Sequence, residues 1–145
     1  MTTAPAAASE RPRWLVATVF GLVVMIVWTV VVKYAVPLHW AWAERLAGRD
    51  PGASRIMWDL WPLAHALLAG LLWTRHRTAW AAGVTISAVE VAVVSTKFAH
   101  FLRAPELDFW RLLWFTNKLY VLLFFACLLY VLLGPGRRSL RSAPA

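Results

Sequence analysis

The chain has 145 residues, 61% of them hydrophobic and 15% charged, with mean hydropathy +0.60 and a formal net charge of +8. A soluble domain of this size could not cover so much apolar surface with so few charges, so the composition points to one small membrane domain. The Lys and Arg residues are dispersed, with no basic stripe to track phosphates, which excludes nucleic acid from the expected partners.

Residues 1–13 are rich in Ala, Thr, Ser and Pro and read as a disordered cytoplasmic tail. The apolar run 14–36 is too long for a signal-peptide core and predicts a first spanning helix, stopped by Pro37. Within 38–55, the stretch 39–47 carries Trp40, Trp42 and Leu46 and predicts a short interfacial helix, with Gly48 as its stop. The second span is expected over 56–73, followed by the basic turn 74–78. The third covers 78–102. The fourth starts at Phe109 or Trp110 behind Asp108 as N-cap, ends at Leu133, and is closed by Gly134-Pro135-Gly136. Residues 134–145 form a basic cytoplasmic tail. The fold class is therefore all-α: a four-transmembrane-helix bundle over 14–133, with a short interfacial segment between helices 1 and 2.

Orientation follows from the loops. Arg11, Arg13, Arg75, Arg77, Arg137, Arg138 and Arg141 fall on one side of this topology, and Arg45, Arg49, Arg55, Arg103 and Arg111 on the other. The excess predicts a multi-pass protein of a bacterial-type cytoplasmic (inner) membrane with both termini inside. Trp14, Trp73 and Trp80 then mark the inner interface; Trp40, Trp42, Trp58, Trp61, Trp110 and Trp114 mark the outer one. Trp28 falls near mid-membrane.

Glu90 is central in the third span, where a carboxylate costs roughly 2.5–3.5 kcal/mol on insertion scales. His65, at the middle of the second span, shares its depth. Lys97 lies about 10 Å outward from Glu90 at nearly the same helical angle. Asn117 and Lys118 sit in the outer half of the fourth span, Asp59 lies outward of His65, and Lys33, near the end of the first helix, reads as snorkelling to the interface. Glu90, Lys97 and Lys118 facing lipid would together cost on the order of 8–10 kcal/mol, so a shared hydrated cavity is expected. One face of the third helix runs Gly83, Ser87, Glu90, Val94, Lys97, Phe101; the fourth is expected to present Asn117, Tyr120, Phe124 and Cys127.

The single Cys127 excludes an intrachain disulfide and a cysteine-rich metal site, and reads as a small buried apolar side chain. The four His include no i, i+4 pair and no HExxH spacing, so no metal site is expected. Haem ligation would require His39 and His100 to meet, and is disfavoured. No nucleophile elbow or phosphate-binding glycine loop occurs.

The expected function is a polar intramembrane cavity open to the outer side that binds an amphiphilic, lipid-like or quinone-like molecule. Glu90 and His65 would exchange protons with it, Lys97, Lys118, Asn117 and Asp59 would hold its head, and Trp28, Trp58, Trp61, Trp114 and Tyr120 would line the apolar part. The alternative is a non-catalytic accessory subunit using these residues for subunit contacts or a proton path. Partners are accordingly membrane lipids, an amphiphilic ligand, and other membrane subunits or a second copy. The residues leave the choice between binding and catalysis open.

Overall fold

The computed structural model describes residues 11–51, 60–103 and 108–141. Among them all regular structure is helical: α1 (Arg13–Val30), a π-helical turn (Val31–Ala35), α2 (Val36–Leu46), α3 (Trp61–Trp73), α4 (Ala79–Leu102), α5 (Phe109–Leu133) and α6 (Gly136–Arg141). Three stretches of the described residues are long and apolar enough to cross a membrane: Arg13–Leu46, Ala79–Leu102 and Phe109–Leu133. The second expected span is described only from Leu60, and its helix, α3, has 13 residues. At ~1.5 Å per residue it covers roughly 20 Å, short of a hydrocarbon core of about 30 Å.

Local chemistry sets several boundaries as anticipated. The Asp108 carboxylate accepts the Arg111 backbone N–H at 2.7 Å and caps α5. Helix α5 ends at Leu133, before Gly134, and α2 ends at Leu46, with Gly48 at φ +70° two residues on. Pro62 lies in the first turn of α3, where its missing N–H leaves no helical bond unmade.

Pro37 does not stop the first helix. The chain runs through it from Arg13 to Leu46, and the expected interfacial helix is a direct continuation. A proline ring clashes with the carbonyl four residues back, here that of Lys33, and a π-turn over Val31–Ala35 opens the ladder at that place. The wider turn has a second effect. Residues four apart drift roughly 40° in an α-helix, at about 100° per residue. The π-turn slows that advance and keeps Thr29, Lys33 and Pro37 on the buried side of the chain.

Helix α3 packs on α1 and α4, while α5 packs on α4 and α1. Leu15, Leu22 and Met25 from α1, Leu68 and Leu72 from α3, and Phe125, Leu128 and Leu132 from α5 form the core. Ala79, Gly83, Ser87, Glu90 and Val94 are the buried stripe of α4. Helix α5 buries Asn117, Lys118, Val121, Phe125, Leu128 and Leu132, so its inward face is rotated from the expected one. Tyr120 and Phe124 are half-buried and Cys127 is exposed, which corrects the reading of Cys127 as a buried side chain. It joins an outer skin that includes Phe20, Val27 and Leu123, each more than half exposed. Such a skin is what hydrocarbon, rather than water, solvates.

Of the tail beyond Gly134, residues 136–141 are helical. Helix α6 packs on α4 and α5 with Leu140 buried. At the same end the Trp80 indole N–H donates to the Leu132 carbonyl at 2.9 Å, Arg11 stacks 4.0 Å over Trp73, and Arg137 lies 5.5 Å over Trp80.

Close approach of α1 and α5 depends on Gly21. A Cβ built there would fall 2.5 Å from Cε2 of Phe124, whereas one at Gly70 meets nothing within 4 Å. Gly21→Val is therefore expected to destabilise the fold by about 1–3 kcal/mol through overpacking. Gly70→Ala should be neutral or stabilising by up to about 1 kcal/mol. Denaturant unfolding of both variants in micelles reads the contrast.

Candidate functional site

The core stripes of the packed helices turn polar at one level. Thr29 of α1, Lys33 of the π-turn, Trp61 and His65 of α3, Glu90 of α4, and Asn117, Lys118 and Val121 of α5 line a common chamber. His65 and Asn117 are 2% and 1% exposed, and Glu90 and Thr29 are each 3% exposed. Lys33 and Lys118 are also buried. The chamber is tight, with a cavity of about 10 Å³. That is at the lower bound for one water molecule.

Its centre is the contact between His65 Nε2 and Glu90 Oε1, 2.7 Å apart across α3 and α4. Distance and burial make this a direct hydrogen bond, in which either atom can carry the proton. The imidazole is held from both sides, with Trp61 stacked at 6.0 Å and 28° and Phe125 tilted at 5.0 Å. The rings fix its plane, and Glu90 fixes which nitrogen faces the carboxylate. His65 Nδ1 is buried with no hydrogen-bond partner among the described residues, as are Thr29 Oγ1, Asn117 Oδ1 and, one turn along α4, Ser87 Oγ. A buried polar atom left unsatisfied costs about 1–3 kcal/mol, so a cluster of them marks a place where stability is not the governing requirement.

The described residues lining the chamber include one carboxylate and two lysines, beside an imidazole. Removing water strengthens every interaction among these charges. The arrangement can hold a proton between His65 and Glu90 and accept another at Nδ1. Such transfer is the general acid–base work of which this residue pair is capable.

The sequence-predicted residues divide between two places. His65, Glu90, Asn117, Lys118 and Trp61 come together in the chamber. Lys97 does not face Glu90 there; it is exposed and lines a separate groove with Trp114, at the far ends of α4 and α5. Trp28 is 37% exposed on α1 and Tyr120 is half-buried beside Phe124, and neither lines the chamber or the groove. Trp58 and Asp59 lie outside the described residues. His39 contacts Trp42 on α2 at 6.2 Å, whereas His100 lines the groove.

Lys33 and Thr29 are the residues that sequence reasoning missed. A stop at Pro37 would put Lys33 at a helix end. In the continuous helix it is not terminal, and it lies within the bundle at the depth of the acid. The signal was the spacing of Leu15, Leu22, Met25 and Thr29, by seven, three and four, which points to Lys33 as the next residue on that face.

Comparison with protein-family models, curated proteins and solved structures finds no match to this chain.

Proposed function

We propose that this chain is a four-helix, multi-pass protein of a bacterial-type cytoplasmic membrane with both termini inside, and that His65 and Glu90 form an intramembrane proton-exchange site. The observation that carries the reading is the 2.7 Å contact between two fully enclosed ionisable side chains from different helices, with two lysines lining the same chamber. Ionisable groups at that depth are expensive and mark proton or substrate pathways.

The step is a relay. With Glu90 ionised, the His65 Nε2–H donates to Oε1. A proton arriving at Nδ1 gives the imidazolium, and passage of the Nε2 proton to Oε1 leaves a neutral imidazole and a neutral carboxyl. Both events reverse without rearrangement of the packed rings.

The chamber's size supports proton handling over transformation of an amphiphile beside the pair, because about 10 Å³ admits no organic head group. The same feature supports a proton path over a ligand pocket at this pair.

Infrared spectroscopy of the reconstituted protein tests the site directly. A pH jump is expected to change a carboxyl band that disappears in Glu90→Gln and moves in His65→Gln. A wild-type spectrum without any Glu90-dependent change across the accessible pH range would refute proton exchange at this pair.

A further inference from the structure

A second cavity, of about 700 Å³, lies where the C-terminal turns of α4 meet the first turns of α5. Thr96, Lys97 and His100 form its polar side, with Arg111 and Asp108 across from them, and Phe101, Trp110 and Trp114 supply aromatic walls. Lys97 and His100 make no hydrogen bond or ion pair among the described residues. The Asp108 carboxylate is turned to the Arg111 backbone N–H, which it caps. Among the described lining residues, Lys97 and Arg111 face one carboxylate, that of Asp108. The rings are held in place, with Phe101 and Trp114 in contact at 5.4 Å and Trp110 edge-on to Trp40 of α2 at 5.8 Å.

These features have a common meaning at the end of two membrane-length helices. Tryptophan belongs at the depth of headgroups and glycerol, and a lysine ammonium near a helix end reaches for phosphate. We infer that the groove is a binding site for a phospholipid with an anionic headgroup. Its phosphate lies beside Lys97, with the glycerol and upper acyl carbons against Trp110 and Trp114. A free phosphate would leave the aromatic walls unused and fill little of the volume. A zwitterionic lipid would bring its own cation to an already cationic groove. The inference does not rest on the proton-exchange reading, since the groove and the His65–Glu90 chamber share no residue.

Native mass spectrometry of the full chain in mild detergent tests it with equimolar phosphatidylglycerol and phosphatidylcholine. Phosphatidylglycerol is expected to be retained about five-fold over phosphatidylcholine, the preference one lysine supplies near an anionic surface. Lys97→Gln should abolish the preference and Lys97→Arg should keep it; Glu90→Gln should leave it unchanged. Lys97 is exposed, so neither substitution there disturbs the core. Equal retention of the two lipids by the wild type overturns the proposal, as does a preference that survives Lys97→Gln. Displacement of bound lipid by excess inorganic phosphate would instead make the groove an ion site, and would also overturn it.

Discussion

Glu90→Ala is expected to destabilise the folded protein by about 3–5 kcal/mol, the range seen when one partner of a buried ionic set is removed. The carboxylate is the only anion among the described residues of a chamber that also holds Lys33, Lys118 and His65. Deleting it leaves His65 enclosed without its acid and opens a cavity at a position 3% exposed. Against a total stability of 5–15 kcal/mol typical of folded domains, such a loss depletes the assembled protein in the membrane. Glu90→Gln should cost less, about 1–3 kcal/mol, because an amide oxygen still accepts from His65 Nε2–H while the charge is lost. Lys97→Met should change stability by no more than about 0.5 kcal/mol, since Lys97 is exposed in the other groove. Denaturant titration in micelles, followed by tryptophan fluorescence, orders the three variants. A Glu90→Ala protein as stable as the wild type would mean that the acid is not the keystone of the chamber.

The pairing of Glu90 with His65 was legible in the sequence because both sit at the centre of apolar runs. Equal depth is a strong constraint when helices run side by side. Depth does not determine rotation, and there the sequence misleads. Lys97 is seven residues from Glu90, close to two α-helical turns, yet the buried stripe of α4 ends at Val94 and Lys97 is exposed. Helix α4 meets different neighbours at its middle and at its end, so a straight stripe does not stay inside. Lys33 was misplaced for a different reason. A proline in a helical pattern reads as a boundary, and only the tertiary structure reveals a π-turn that absorbs it. On α5, Asn117 gave no clue to whether the inward arc continues through Tyr120 and Phe124 or through Val121 and Phe125. Packing of Phe125 against the His65 ring decides the matter. Helix caps, by contrast, were readable at Asp108 and Gly48, because capping is a local bargain between a side chain or a φ angle and the adjoining backbone.

A double-mutant cycle between Glu90 and Lys118 should yield a coupling energy of about 1–3 kcal/mol, the scale found for contacting members of one polar network. Lys118 is 7% exposed and shares the chamber with the acid. In the wild type, Lys118→Met removes a cation from the chamber that holds the Glu90 carboxyl, and stability falls. In the Glu90→Gln background the same substitution removes a buried cation from a chamber without its carboxylate, so it should be less harmful and can become stabilising. The double variant is therefore expected to be more stable than the sum of the single losses. Lys33→Met should couple to Glu90→Gln with the same sign, because the π-turn brings Lys33 into the same space. Glu90 and Lys97 supply the control. They lie on one helix at nearly the same angle but in separate cavities, so their effects should add within about 0.5 kcal/mol. Strong coupling of Glu90 to Lys97, with none to Lys118 or Lys33, would reverse the assignment of cations to the two cavities and restore the straight-stripe arrangement.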